Sequence, residues 1–409
     1  MKKNKWTIWM ILGILVLTSV TDIYSQDWPQ WRGLNRDGKV TGFTAPDWPA
    51  EITQQWTVNV GTGDATPVLL SDKLYAFTRQ GENEVILCLN AKDGKEIWRD
   101  EYAAQAVTGP AARHPGPRSS PAVAEGKIAT IGVGGILSCL DASTGKLLWR
   151  KDPFPNLVPT FFTATSPIIV DGMCIAHLGT AGDGALLAYD LNTGEEKWRW
   201  SAEGPEYASP VLMEIAGTKQ IVTLTEKSIV GISVAKGKLL WSLPFPPERR
   251  AYNAATPIIN GQVVYYTGAA RGTKAVKIEK QGDTFSATEL WNNPDVAVQF
   301  NTPVLKDNML FGSTNQSYLF CLDATTGKTE WVDTVKHDRS GFAAILDVGP
   351  VIMALPSNSQ LIVYKPVAKE YTELDKIKVA DTPTYAHPVI AGNRIYIKDN
   401  ENITLWIIK

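Results

Sequence analysis

The chain has 409 residues, 44% of them hydrophobic and 20% charged, with a formal net charge of −2. This near-neutral balance supplies no basic surface for nucleic acid and no cationic face for an anionic membrane. The length suffices for one large core or for an array of small sheets.

The N-terminus reads as an export signal. Lys2, Lys3 and Lys5 precede an apolar run from Trp6 to Val20, and the polar stretch TDIYSQD follows. The run falls short of the roughly 20 apolar residues that a membrane span requires. Residues 1–26 are therefore expected to be a cleaved signal peptide, leaving a periplasmic or secreted protein with no transmembrane span; an uncleaved anchor is the alternative. No cysteine lies near the end of the run, so no lipid anchor is expected.

Residues 27–51, DWPQWRGLNRDGKVTGFTAPDWPAE, are rich in Trp, Gly and Pro and have no period. They are expected to form an extended lead-in lying on the domain surface, with a partner-binding arm as the alternative. ITQQWTVNV, 52–60, then has the pattern of the last strand of a repeat unit, yet no unit precedes it.

From there the chain repeats. LNAKDGKEIW (89–98), LDASTGKLLW (140–149), YDLNTGEEKW (189–198) and LDATTGKTEW (322–331) share one design, and SVAKGKLLW (233–241) is a residue shorter. Each has an apolar strand end, a polar turn closed by Gly, and a short strand reaching Trp. Asp, Asn and Ser start turns by bonding their own backbone, and Gly supplies the left-handed position of a tight hairpin. Asp141, Asp190 and Asp323 are thus turn residues rather than a carboxylate site. A spacing of roughly 40 to 50 residues suits the blades of a propeller.

Each unit opens on Ser-Pro or Thr-Pro, at 66, 120, 166, 209, 256 and 302. Proline is tolerated at a strand start because its missing N–H is not needed there. Two worn units follow. In 341–366 Ala343-Ala344 replaces Ser-Pro and Tyr371 stands in the Trp position; 386–409 has three strands and then the chain stops. The spare strand at 52–60 supplies the fourth. The expected fold is all-β: an eight-bladed propeller of four-stranded antiparallel blades over 52–409, closed by the N-terminal strand completing the last blade, which removes the open sheet faces of a linear array. Cys88, Cys139 and Cys321 occupy equivalent places in different units, too far apart for a disulfide, so all four cysteines, Cys174 included, are expected to be free.

The repeated D-A-x-T-G-K-x-x-W turn, together with the Ser-Pro or Thr-Pro openings, resembles the repeat of the pyrroloquinoline-quinone-like (PQQ-like) propeller family. The resemblance covers about residues 52–409. It implies an eight-bladed ring and two kinds of function. Some members are dehydrogenases of alcohols or sugars that bind the quinone and a calcium ion; others are not enzymes, such as the propeller subunit of the outer-membrane β-barrel assembly machinery. The enzymes commonly carry two adjacent cysteines beside the quinone and large insertions over the ring. This chain has no adjacent cysteines and one modest loop, 103–121.

The segments leading into the innermost strands crowd one face around the axis, and they hold the candidate site residues. Arg118, Tyr207, Asn253, Asn301, Arg339 and His387 are the candidates for holding a ligand. Glu206, Asn253 and Asn301 could offer oxygen to a metal ion, and Asp64 or Asp381 would serve as a base. His114 and His387 share the rim without the spacing of a metal pair. The plainer reading is that any propeller places polar residues where its loops meet water. The expected function is a non-catalytic binding or scaffolding module of the cell envelope, with no cofactor and with an envelope protein as partner. The alternatives are a dehydrogenase dependent on PQQ and calcium, and a propeller binding a glycan or another small molecule at its aromatic rim.

Overall fold

A computed structural model describes residues 27–43 and 48–409, and the expected signal at 1–26 lies outside the described residues. The chain forms eight antiparallel sheets of four strands each. The first seven blades follow in order at 68–103, 122–151, 168–200, 211–244, 258–293, 304–332 and 343–378. The eighth is built from 389–408 and closed by the strand Ile52–Asn59, which pairs antiparallel with Asn402–Ile408. The ring is therefore an eight-bladed β-propeller joined through its last blade, as the spare Trp strand and the three-stranded final unit predict.

The repeated turn is fastened as its residue types require. Asp141 Oδ1 accepts from the backbone N–H groups of Ser143 and Thr144 at 3.0 and 2.9 Å, and Gly145 N donates to Asp141 O at 2.9 Å. Asp190 and Asp323 hold their own turns in the same way. These donors, with the hydroxyls of Ser143 and Thr144 first, hold the Asp141 carboxyl down at about 2.

The turn also builds the contact between blades. Trp98, Trp149 and Trp331 each stand opposite a cysteine in the adjoining strand, while Trp198 faces Ala188 and Trp241 faces Gly231. A small residue leaves room for the indole at that register in these blades, which accounts for the repeat-equivalent cysteines, whereas the closing Trp56 faces Leu405; all four cysteines are free and buried. On its other side the indole lies on the turn glycine of the following blade. A Cβ on Gly145 would sit 2.5 Å from Trp98, on Gly194 2.6 Å from Trp149, on Gly237 2.6 Å from Trp198 and on Gly327 2.5 Å from Trp291. The indole N–H then donates across the interface: Trp149 to Leu191 O at 3.1 Å, Trp198 to Val234 O at 2.8 Å, Trp291 to Ala324 O at 3.0 Å and Trp331 to Val367 O at 3.0 Å. Trp56 does the same from the closing strand, donating to Lys92 O at 3.0 Å, so closure uses the ordinary interblade contact. Trp241 departs, donating to Gln220 Oε1 within its own blade. Its neighbour there is a long hairpin, Gly272–Gln281 and Thr284–Asn293, in place of the short turn.

A second set of bonds circles the axis. His387 N donates to Thr66 Oγ1, Thr66 N to Ser120 Oγ, Ser120 N to Ser166 Oγ and Ser166 N to Ser209 Oγ, at 2.9 to 3.0 Å. Thr256 N donates to Thr302 Oγ1 at 2.9 Å. The hydroxyls of Thr66, Ser120, Ser166, Ser209 and Thr302 thus accept the backbone N–H of the blade before them, while that of Thr256 accepts the indole N–H of Trp31. A free N–H at the same point would find no ladder partner, and proline removes that donor.

Two outcomes follow from these contacts. Gly145 has φ 74° and meets Trp98, whereas Gly126 has φ 72° and faces open space. Gly145→Ala is expected to lower stability in denaturant by about 3 kcal/mol, a left-handed cost plus overpacking, and Gly126→Ala by about 1 kcal/mol; equal midpoints would contradict the docking role. Deleting residues through Val60 removes the fourth strand of the last blade and is expected to lower the melting temperature sharply, so a truncated protein melting like the parent would refute closure.

Candidate functional site at the mouth of the ring

The lead-in does not lie on the outer surface. It enters the axial shaft from the face opposite the mouth. Trp28 and Leu69 exchange both backbone hydrogen bonds at 2.8 Å, and Pro29 O accepts from Val123 N at 2.8 Å. The segment then climbs along the axis, turns, and leaves beside Asp347, whose N donates to Gly38 O at 3.0 Å and whose O accepts from Val40 N at 2.8 Å. Two guanidiniums anchor it. Arg32 donates to Thr302 O at 3.0 Å and to Pro303 O at 2.9 Å; Arg36 donates to Pro210 O at 2.8 Å, to Pro167 O and to Gln30 Oε1 at 2.8 Å. Both are buried, at 0% and 2% exposure, and burial brings their pKa values down to about 10 and about 9.

Trp31 is the top of this plug. Its indole N–H donates to Thr256 Oγ1 at 3.0 Å, and its ring meets His387 edge-on at 4.6 Å. Above it opens a cavity of about 440 Å³ on the axis, with Trp31 as part of its lining. Six Phe and Tyr rings stand in the wall. Phe300 and Phe342 stack at 4.6 Å with 6° between their planes. Phe161, Tyr207 and Tyr252 meet edge-to-face at 5.1 to 6.2 Å. Tyr385 packs edge-on against both Phe342 and His114.

The lining's carboxylate and guanidiniums come from Asp64 and the 113–118 stretch. His114 Nδ1 and Asp64 Oδ2 are 2.6 Å apart. Arg118 donates through Nη2 to His114 O at 2.7 Å and to Ala111 O at 3.3 Å, while its Nη1 is buried without a hydrogen-bond partner. Burial lowers the Arg118 pKa, and burial together with Arg32 drives His387 well below the usual imidazole range.

Of the expected site residues, Asp64, Arg118, Tyr207, Asn301 and His387 line this cavity. Asn301 is engaged, donating through Nδ2 to Ser313 O at 2.8 Å and to Gly341 O at 3.4 Å. Asn253 and Glu206 are not in the lining. Asn253 is fully buried and spends both amide protons on Thr225 O and Phe245 O, at 2.8 and 3.0 Å, while its backbone N–H donates to Glu206 Oε2 at 3.3 Å. Burial raises the Glu206 carboxyl to about 7. Arg339 is exposed and outside the lining. Asp381, 93% exposed, pairs with Lys378 at 2.6 Å and faces solvent instead of the axis.

Sequence reasoning missed Trp31, Phe161, Phe300 and Phe342. The approach segments carried a signal for part of the wall: Tyr207, Phe300 and Tyr385 each stand two residues before the axial position held by Ser209, Thr302 and His387. Nothing local marks Trp31, whose partners come from blades far along the chain.

The residues present do not fit a resident calcium ion, which takes six to eight oxygens. Glu206 and Asn253 stand outside the cavity, and the carboxylate that lines it, Asp64, is engaged by His114. Among the described residues no three His, Cys, Asp or Glu side chains are grouped to hold a metal.

Docking of five Trp residues on the next blade's turn glycine, with eight blades around one axial funnel, defines a propeller of the PQQ-like repeat class. Residues 82–333, more than half of the chain, match the model of the family described as outer membrane protein assembly factor BamB, and the chain belongs to that family. It is 23% identical over 362 residues to outer membrane protein assembly factor BamB of Burkholderia pseudomallei (strain K96243), covering 85% of each chain. It is 28% identical over 185 residues to a quinohemoprotein alcohol dehydrogenase of Comamonas testosteroni, covering 42% of this chain and 25% of that protein. The crystal structure of the quinohemoprotein alcohol dehydrogenase from Comamonas testosteroni superposes with a TM-score of 0.71 at 16% identity, over 94% of this chain and 81% of that one, which shows a shared fold.

The buried histidines contribute an acid-side loss of stability, read as the difference between the parent and a histidine variant because Glu206, raised to about 7, contributes in the opposite sense over the same range. His387 sits well below the normal range and His177 at about 4, both chiefly through burial, so neither accepts a proton in the folded state near neutrality. The unfolded imidazoles protonate near 6.5, so stability is complete above that pH and falls below it, with a slope of up to about 1.4 kcal/mol per pH unit for each histidine. Denaturant unfolding between pH 7 and pH 5 checks this, and His387→Gln is expected to flatten the slope by its share.

Proposed function

We propose that this protein is an exported, non-catalytic propeller that binds an envelope protein at the funnel on the mouth of its ring, as a scaffolding component. The observation that carries the reading is the construction of the funnel. Its floor is the chain's own Trp31, in a segment pinned by Arg32 and Arg36, and its wall carries six further Phe and Tyr rings among polar and small residues. Such a surface binds by burying apolar area around a few oriented polar groups. The family match supports it, since the BamB relative aligns over most of both chains while the dehydrogenase aligns over a quarter of its own length. Among the described residues no helix is long and apolar enough to cross a membrane. The basic and apolar N-terminus supports export.

The test is a photo-crosslinking amino acid placed at Phe300, inside the funnel, and at Ile97, an exposed position on an outer strand. In intact cells Phe300 is expected to crosslink to one discrete envelope protein and Ile97 not to. Failure at Phe300, or saturable binding of PQQ with calcium accompanied by turnover of an alcohol or sugar, would replace this reading with the dehydrogenase.

A further inference from the structure

Building on the partner-binding reading, we propose that the segment received by the funnel is acidic. It is a short stretch of the partner chain that presents carboxylates to Arg118 and Arg113 and lays an aromatic or large apolar side chain against the Phe300–Phe342 wall.

The charge along the axis argues for this. The chain as a whole carries −2, but its axis is cationic. Arg32 and Arg36 lie in the shaft below Trp31, and all their hydrogen bonds go to neutral oxygens: the carbonyls of Thr302, Pro303, Asp37, Pro210 and Pro167, and the Gln30 amide. Lys398, also buried, donates to the carbonyls of Gly61, Asp399 and Asn400. Charges held in a dry shaft are weakly screened, so their field reaches the funnel above. The acidic groups nearby offset it only in part. Asp64 is hydrogen-bonded to His114 and also acts on Arg118 and Lys398, Glu84 is buried under the Tyr102 hydroxyl and Val133 N–H, Asp338 is held by the hydroxyls of Ser340 and Ser357, and Glu206 lies behind the wall with its affinity for a proton raised by burial.

Two groups at the funnel are placed to receive an anion. Arg118 Nη1 is buried with no acceptor, although Nη2 of the same guanidinium is fully used. A buried donor without an acceptor is costly until a ligand supplies one. Arg113 lines the cavity and makes no hydrogen bond or ion pair among the described residues. A guanidinium with free N–H groups beside a pocket suits a carboxylate, whose oxygens accept in the same plane.

The wall argues for a side chain beside the carboxylates. Phe300 and Phe342 present stacked faces, and Phe161 is turned into the funnel by its neighbour. Phe162 adopts φ 62°, a left-handed conformation that is an outlier for a bulky residue, and buries its ring among Val107, Ala111 and Val133. Strain of this kind persists where the surrounding structure fixes it, and here it sets the direction of a wall residue. A small inorganic anion would leave this apolar surface uncovered, and a basic segment would meet the axial field unfavourably.

The experiment titrates the mature protein with three acetylated, amidated hexapeptides, GDEYEG, GKKYKG and GDEAEG, by isothermal calorimetry. GDEYEG is expected to bind saturably and about tenfold or more tightly than either of the others. Raising the salt should weaken it, since the attraction is screened. Arg118→Gln should lose most of the binding and Arg118→Lys should keep part of it, with unchanged melting temperatures showing that both variants fold. Phe300→Ala should narrow the gap between GDEYEG and GDEAEG. Equal binding of the acidic and lysine peptides, no effect of Arg118→Gln, or no binding by any peptide overturns the proposal. If Phe300 still crosslinks to an envelope protein while the peptides show no charge preference, the acidic segment falls and the partner reading stands. Peptide binding without a crosslinked partner sinks the partner reading alone.

Discussion

The ring depends on one contact, the indole of an outer strand lying on the turn glycine of the next blade. A four-stranded blade alone would leave both faces of its sheet in water, and a small sheet is marginal by itself. The indole provides a large apolar area at a fixed place, and the glycine lets it approach the turn backbone within van der Waals distance. The strand opposite must then give way, which is why cysteine, alanine or glycine faces the Trp inside the same blade. One contact thus dictates three sequence positions per unit. Because Trp56 makes it too, the first strand of the ring meets the first blade by the same rule as the junctions at Trp98, Trp149, Trp198 and Trp291.

Closing the ring creates a second problem, an axis lined by backbone from eight strand starts. The chain answers it with its own lead-in. The carbonyls of Pro167, Pro210, Thr302 and Pro303 point into the shaft, and two guanidiniums satisfy them. Burying two cations costs desolvation, and their acceptors are dipoles rather than carboxylates, so the charge is solvated without being cancelled. The shaft is sealed as a result, the floor of the funnel is an indole held from below, and the axis keeps a positive field. The residues that fill the shaft thereby also form the floor of the mouth.

The legibility of the sequence divides along the same line. The blades were readable because their information is local. Asp141, Gly145 and Trp149 lie within ten residues of one another, and the pattern recurs. The count of eight and the closing strand follow from the seven Trp strands together with Tyr371 in the Trp position. The lead-in was not readable, since Arg32 and Arg36 bond to residues 131 to 271 positions away and nothing near them in sequence distinguishes a buried arginine from a solvated one. The approach segments gave the correct face of the ring but not the direction of each side chain. Asn253 turns away from the cavity to cap two carbonyls, and Asp381 turns outward to Lys378, while Phe300 and Phe342, in segments already singled out, turn inward.

Departures from the repeat are informative for the site. The hydroxyl opening each blade serves the ring of bonds around the axis, so a blade without it has been released from that duty. Ala343-Ala344 and His387 are the two such places, and both line the funnel. The alanines are small and leave space beside Phe342. His387 keeps the backbone bond to Thr66 while its ring, in place of a hydroxyl, meets Trp31. Two adjacent blades have therefore exchanged a bond of the scaffold for a surface of the pocket. The regular openings Ser166, Ser209, Thr256 and Thr302 line the cavity as well, so the irregular ones alter its shape without defining it alone.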